Sequence, residues 1–202
     1  APYSILDVMK YGTNSNSPTN FNLVNGPFSA DDAALNSSTY WFWRFHGLAD
    51  DYDSWIYIGD DLGGKKLNTG EAHTMKGVNG GMSKDATQNY VYKGKPHNGD
   101  ITLTINPDEN YLIGNPYPSA LDLDAFLIEN INTTGIGYFW DSSPVPSHYL
   151  EDYEGGYGAY SPALGNNGYV PAVFKKYDSR GNPNSEAGSS GHSYSRRYSP
   201  IA

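Results

Sequence analysis

Short apolar and aromatic runs separated by turn residues dominate the chain and predict a β-rich fold. In Ile101–Ile105 apolar residues alternate with Thr, which gives a strand one apolar and one polar face. Asn98-Gly99, just before it, is a strong signal for a two-residue hairpin turn. Further strands are predicted at Trp55–Ile58, Asn89–Lys93, Tyr111–Ile113, Gly137–Trp140 and Gly156–Tyr160. Short strands at this spacing predict a β-sandwich or jelly-roll.

The most aromatic of the predicted strands is Tyr40–His46. Alternation places Trp41, Trp43 and Phe45 on one face, and the residues between them, which include further aromatics, on the other. A short acidic turn separates this strand from Trp55–Ile58, so the two are predicted to pair as neighbours. Since a strand with one solvated face needs aromatic residues on only one side, we expect an aromatic surface to be exposed.

Few segments carry helix signals. The better one is Ala120–Asn130, where Ser119 and Asp122 have the spacing of a capping box. Ser4–Met9 predicts one or two helical turns, and the polar, Gly-containing segment Tyr177–Tyr194 predicts a long mobile loop. The predicted fold class is therefore all-β, a β-sandwich or jelly-roll with one short helix, in a single β-rich domain over residues 1–202.

Composition and charge narrow the classes of partner. The formal net charge of −9 argues against nucleic acid, whose binding needs a cationic face. It also disfavours a polyanionic polysaccharide, unless a local basic patch offsets the charge, and suits neutral glycans or divalent cations better. The chain contains no cysteine, which excludes disulfides and thiolate metal sites. No apolar run approaches the ~18 residues of a membrane helix, so no membrane insertion is expected.

Several blocks along the chain resemble one family. The corner at residues 112–126 contains Gly-Asn-Pro-Tyr-Pro-Ser-Ala-Leu-Asp, and the other blocks are Gly70–Gly77, Gln88–Ile101, Tyr138–Asp141 and Gly155–Tyr160. Together they resemble a domain of large secreted surface proteins of Bacteroidetes, which typically leave the cell by the type IX secretion system. The resemblance implies an extracellular or cell-surface location, beside other domains of a larger surface protein. It carries over no catalytic residues.

The same resemblance bears on the end of the chain. In that family the segment similar to Arg197–Ala202 runs on into an apolar strand, so this chain is expected to be a piece truncated at its C-terminal edge. An uncovered sheet edge can accept a strand from another chain, and self-association would follow.

Aromatic side chains are the first candidates for ligand binding. The apolar face of a sugar ring packs on an aromatic ring much as other apolar groups do. Because tryptophan also stabilises cores, burial is the competing interpretation for each of them. The candidate ligand-binding residues are Trp41, Trp43, Trp55, Tyr57 and Trp140.

Acidic turns are the candidates for a metal site. Their carboxylates could supply the six to eight oxygens that calcium prefers, although their spacing is not that of an EF-hand. Turn aspartates also cap backbone N–H groups, which is the alternative interpretation. The candidate ligands are Asp50, Asp51, Asp53, Asp60 and Asp61. No other cofactor is expected, and the five histidines form no zinc motif.

The sequence contains no catalytic motif, and an enzyme is not expected. Glycoside hydrolysis needs two carboxylates held ~5–10 Å apart, a geometry that sequence does not reveal. The available carboxylates are Glu71, Asp85, Glu109, Glu129, Glu151, Asp152 and Glu154. The predicted function is a noncatalytic extracellular module that binds glycan or another surface ligand within a larger adhesin or polysaccharide-active protein. The alternatives are a purely structural spacer or assembly domain and, third, a glycan-active enzyme.

Overall fold

The computed structural model describes residues 4–11, 22–24, 36–49, 51–64, 66–75, 90–142, 152, 154–178 and 182–190. The chain divides into two compact units, Ala1–Pro118 and Ser119–Ala202. The boundary falls inside the strand–turn–helix corner at residues 112–126, where the sequence shows no linker. One domain over residues 1–202 stays a prediction.

The first unit is built from short strands and one short helix. In chain order its elements are α1 Ile5–Val8, β1 Met9–Tyr11, β2 Asn22–Val24, β3 Asn36–Ser38, β4 Trp43–Leu48, β5 Trp55–Tyr57, β6 Tyr90–Tyr92 and β7 Glu109–Tyr111. Strand β4 lies between β5 and β7 in an antiparallel sheet, β1 pairs antiparallel with β6, and β2 pairs parallel with β3.

A small apolar core holds this unit together. Phe42 is fully buried, and it clusters with Ile5, Met9, Ile58 and Leu62. Ile5 reaches the core from α1, whose single turn is too short to be stable by itself. A capping box at Ser4 and Asp7 satisfies the N–H groups of that turn and so holds Ile5 in place.

The second unit is one antiparallel sheet and a helix. Its elements are α2 Leu123–Glu129, β8 Gly137–Ser142, β9 Glu154–Tyr160, β10 Tyr169–Val170, β11 Val173–Tyr177 and β12 Pro183–Ser190. Strand β9 is central, with β8 along one edge and β10 and β11 along the other, and β12 extends the sheet beyond β11. Residues Tyr160, Ala172 and Phe174 are buried, whereas Tyr157 and Val173 on the other face are exposed.

The prediction of an all-β fold with one short helix is confirmed, α2 being that helix and α1 the separate helical turn predicted within Ser4–Met9. The predicted pairing of β4 with β5 is confirmed as well. The predicted capping box at the second helix is wrong. The N-cap of α2 is Asp122, whose Oδ1 accepts a hydrogen bond of 3.1 Å from the N–H of Ala125. Aspartate caps a helix as well as serine does, so the helix begins three residues later than the spacing of Ser119 indicated.

Two strand assignments are also wrong. Ile101–Ile105 forms no ladder with the residues that the structure describes, although its apolar Ile101 and Leu103 are half-buried and its Thr side chains exposed. Ile101 and Leu103 pack beside Gly70, so side-chain contact holds the segment without strand pairing. Conversely, part of the predicted loop Tyr177–Tyr194 is strand β12, paired with β11 through a bulged register. Backbone hydrogen bonds formed there despite polar side chains, since a ladder needs only N–H and C=O groups.

A smaller correction concerns the strand before the corner. The predicted buried strand Tyr111–Ile113 is instead β7, which ends at Tyr111. Ile113 makes only an isolated bridge to Glu71 and is 38% exposed. The strand therefore ends two residues earlier than predicted, before Gly114 and Pro116 are reached.

Candidate functional site

Three exposed aromatic side chains and one half-buried one gather on one face of the second unit's sheet. Trp140 of β8 and Tyr157 of β9 are directly opposite in the register, and they are 48% and 53% exposed. Their ring centroids lie 5.0 Å apart in an edge-to-face arrangement, and Tyr177 of β11 lies 5.8 Å from Trp140. Tyr138, two residues before Trp140 and therefore on the same face, is also exposed. We call these four residues the aromatic platform.

Glycine makes room for the platform. Gly155 lies next to Trp140, and a Cβ atom at that position would come within 2.6 Å of the indole ring. The Tyr177 hydroxyl donates a 3.2 Å hydrogen bond to the carbonyl of Gly155, which anchors a second ring at the same place. The sheet therefore fixes the orientation of the rings before any ligand arrives.

Two tyrosine hydroxyls of the platform, those of Tyr157 and Tyr177, are held in the neutral form by raised pKa values. Desolvation raises the pKa of Tyr157, although more than half of the side chain is exposed. Desolvation, and then the proximity of Tyr157, raise the pKa of Tyr177. Neutral hydroxyls both donate and accept hydrogen bonds, which is the capacity that recognition of sugar hydroxyls needs.

A second feature, in the first unit, is a cavity of about 620 Å³ beside β4. We call it the β4 groove. Arg44 and His46 point to it from β4, and they lie opposite Ile56 of β5 and Tyr111 of β7 in the registers of the sheet. The rings of His46 and Tyr111 have centroids 4.6 Å apart.

Glu71 organises one wall of this groove. Its carboxylate accepts hydrogen bonds from the Tyr111 hydroxyl, from the Asn68 backbone N–H at 2.7 Å and from the Asn68 side-chain amide at 3.1 Å. Desolvation opposes ionisation of Glu71, but these hydrogen bonds outweigh it and lower the pKa of the carboxyl. Desolvation, together with Glu71, raises the pKa of Tyr111 to about 12. The pair is thus a carboxylate and a neutral phenol.

His46 has its own carboxylate partner. Its Nε2 lies 3.0 Å from Oε2 of Glu109. The side-chain amide of Asn106 also donates to Glu109, and this hydrogen bond is the main cause of the lowered pKa of Glu109. The polar groups of β4 therefore lie beside two carboxylates, Glu71 from the segment before β6 and Glu109 from β7.

The structure separates the five predicted ligand-binding aromatics. Trp43 packs on Tyr57 and Phe45 on Trp55, with ring centroids 5.0 Å and 4.9 Å apart, on the face of β4 and β5 opposite to Arg44. All four side chains are half-buried. Trp41 does not share that strand face as predicted, because it ends a 3₁₀ turn at Thr39–Trp41. Trp140 belongs to the second unit. Ligand binding by these residues stays a prediction.

The predicted metal ligands occupy turns. Oδ1 of Asp51 accepts from the N–H of Asp53 at 3.0 Å, and Oδ1 of Asp61 accepts from the N–H of Gly64 at 2.7 Å. Both carboxylates thus accept from backbone N–H groups of their own turns, which is the alternative to metal binding that the sequence left open. Asp60 is exposed in the same turn region, and Asp50 lies outside the described residues. Within the described ranges no three His, Cys, Asp or Glu side chains are grouped to hold a metal ion, and calcium stays a prediction.

Sequence reasoning missed most of the residues that form the two features. Tyr138 and Tyr157 lie in segments that were predicted as strands, whereas Tyr177 stood at the start of the predicted loop and instead ends β11. The strand register that brings Tyr157 opposite Trp140 depends on two segments and is not visible in either one alone. Arg44 and Tyr111 carried no motif. Among the predicted carboxylates, Asp85 and Glu151 lie outside the described residues, and Glu71 and Glu109 prove to be bound by neighbouring donors.

Comparison with known proteins places the chain in a family. Residues 9–189 match DUF8693, a domain of unknown function, and the chain belongs to that family. No curated protein and no solved structure matches it. Among the described residues, no helix has the length and apolar character needed to cross a membrane.

Proposed function

We propose that this member of the DUF8693 family is a noncatalytic extracellular module that binds glycan through the aromatic platform, as part of a larger adhesin or polysaccharide-active surface protein. The observation that carries the proposal is the pair Trp140 and Tyr157. Both rings are about half exposed and face each other across neighbouring strands. The extracellular location and the larger parent protein follow from the family resemblance of the sequence blocks.

The platform suits a sugar ring for physical reasons. The C–H face of a pyranose is apolar and packs on an aromatic face, while its hydroxyls reach the phenol groups at the edge. Because Gly155 and the β8–β9 ladder hold Trp140 in place, little side-chain entropy is lost when a ligand binds. The net charge of −9 favours a neutral glycan for this surface.

The test is binding of the protein to an array of neutral glycans, followed by titration calorimetry with the best ligand. Trp140→Ala removes the central ring, and we expect at least a tenfold weaker affinity, from about 1.5–3 kcal/mol of lost apolar contact. Tyr92→Ala is the matched control, since Tyr92 is 67% exposed but belongs to the first unit. It should leave binding within twofold of the unsubstituted protein.

Two results would count against the proposal. One is an array on which no neutral glycan binds, which would favour the structural spacer as the function. The other is equal affinity of Trp140→Ala and the unsubstituted protein, which would move any glycan site away from the platform. Thermal unfolding of each variant checks that the sheet is intact.

A further inference from the structure

We propose that the β4 groove is a separate site for an acidic sugar, a hexuronate, whose carboxylate binds the guanidinium of Arg44. This inference goes beyond the platform and does not depend on it, because the groove residues all belong to the first unit.

One donor of Arg44 has no hydrogen-bond partner among the described residues. This donor is Nε, which is buried. Nη1 of Arg44 lies 3.9 Å from Oε2 of Glu71, which is an ion-pair distance but too long for a hydrogen bond. The side chain is 36% exposed and lines the groove, so a ligand in the groove would meet Arg44 beyond its enclosed Nε, at the Nη end of the fork. Arginine presents its donors as a planar fork, and a carboxylate is the group that this fork fits best.

Glu71 does not compete for this role. Its carboxylate oxygens already accept from Tyr111 and twice from Asn68, and its side chain is only 7% exposed. The charge of Arg44 also acts on this carboxylate and helps to lower the pKa of Glu71, but the 3.9 Å separation leaves the two side chains without a hydrogen bond between them. Lys66 adds positive charge from a neighbouring cavity of about 180 Å³ that Arg44 also lines. The surroundings of Arg44 therefore tolerate an incoming anion despite the negative net charge of the chain.

The other residues that line the groove favour a sugar acid as the ligand over a small carboxylic acid without hydroxyl groups. Side chains with hydroxyl or amide groups surround Arg44, and the ring of Tyr111 supplies an aromatic wall. The polar lining residues are Asn68, Thr69, Thr102 and Thr104. Such donors and acceptors match the hydroxyls of a pyranose. A volume of about 620 Å³ lies within the ordinary range of pockets for small ligands.

The experiment measures the binding of two oligosaccharides, which share the same sugar rings, to the unsubstituted protein. Trigalacturonate carries the carboxylates, and its methyl ester has the same rings without the charge. Calorimetry at 0.15 M salt should show binding of trigalacturonate and at least a tenfold weaker affinity for the ester. Equal affinity for both, or no binding of either, would overturn the proposal. Because this comparison uses no variant, it does not depend on the folding of a mutant.

Variants then locate the site. Arg44→Lys keeps the charge but removes the fork, and we expect at least a tenfold loss of affinity for trigalacturonate. Lys95→Gln, an exposed residue of the same unit outside the groove, and Trp140→Ala on the platform should both stay within twofold. The Arg44 Nε–H resonance of the unsubstituted protein should shift on titration with the ligand. An unmoved resonance would place the carboxylate elsewhere.

A further measurement with a peptide distinguishes a carboxylate on a sugar from a carboxylate on a peptide. An acetylated acidic tripeptide supplies the same charged group without sugar hydroxyls. We expect it to bind at least tenfold more weakly than trigalacturonate. If it bound as tightly, recognition of the carboxylate by Arg44 would stand and the assignment to a sugar would be overturned. Failure here would leave neutral-glycan binding by the platform untouched, since that activity is measured with uncharged ligands.

Discussion

Removing one oxygen from the wall of the β4 groove gives the sharpest test of its electrostatics. Tyr111→Phe keeps the aromatic ring but deletes the hydroxyl that donates to Glu71. Desolvation, and then the hydrogen bond to Glu71, raise the pKa of Tyr111 from 10.0 to about 12. The full rise corresponds to about 2.7 kcal/mol, and the hydrogen bond accounts for only a part of it. Because the groove is open to solvent, which screens the interaction, we expect a loss of about 1–1.5 kcal/mol in the free energy of unfolding.

The pH dependence distinguishes this hydrogen bond from lost packing. A raised pKa in the folded state means that the contribution is complete below pH 10 and is lost as the pH rises toward 12. Urea unfolding at a series of pH values should therefore show the full difference between Tyr111→Phe and the unsubstituted protein at pH 8. That difference should shrink steadily above pH 10.

The control is Tyr138→Phe, which removes a hydroxyl from a tyrosine that is 55% exposed. It should change the free energy of unfolding by less than about 0.5 kcal/mol at pH 8. A Tyr111→Phe effect that stayed constant from pH 8 to pH 12 would refute the reasoning, since a constant loss would come from packing alone.

Two further predictions concern the first unit. Glu71→Gln should lower the free energy of unfolding at pH 7. Because the pKa of Glu71 is lowered from 4.5 in the folded state, the difference in stability between this variant and the unsubstituted protein should vanish as the pH falls below 4.5, which acid titration followed by circular dichroism would show. A difference in stability that persisted at pH 2 would contradict the assigned hydrogen bonds. Gly59→Ala places a Cβ atom against the backbone carbonyl of Thr39, and we expect it to lower the free energy of unfolding in urea by about 1–3 kcal/mol. Gly63→Ala is the control, because its Cβ atom would make only an ordinary van der Waals contact, and it should change that free energy by less than about 0.5 kcal/mol. Equal losses for the two variants would mean that the backbone around Gly59 shifts to make room.

Local pattern was enough to predict most of the strands but not which strand each one joins. Tyr40–His46 and Gly137–Trp140 were each predicted from their own residues, and strands formed there at Trp43–Leu48 and Gly137–Ser142. A ladder is a property of two segments, and this explains both errors. The alternating Ile101–Ile105 lacks a partner among the described residues, whereas the polar Pro183–Ser190 has one in Val173–Tyr177.

The same distinction limits what sequence says about the candidate site. Trp140 was named from its residue type, which is local information. Its neighbours on the platform come from β9 and β11, so only the register reveals that Tyr157 and Tyr177 stand beside it. The unpartnered Nε of Arg44 is harder still to predict from the sequence, because it depends on which donors the oxygens of Glu71 accept hydrogen bonds from.

Strand β4 shows how one segment can supply two chemically different surfaces. Aromatic residues before and within it suggested that both faces were aromatic, but Tyr40 and Trp41 lie in the 3₁₀ turn Thr39–Trp41 and not in the strand. Within the strand, Trp43 and Phe45 pair with aromatic residues of β5 on one face, while Arg44 and His46 form the polar wall of the groove on the other. An aromatic face packs and stiffens the sheet, and a stiff sheet can hold the guanidinium of Arg44 in one place. The expectation of exposed aromatics thus holds for β8 and β9, where Trp140 and Tyr157 face solvent, while in β4 the aromatic side supports the polar one.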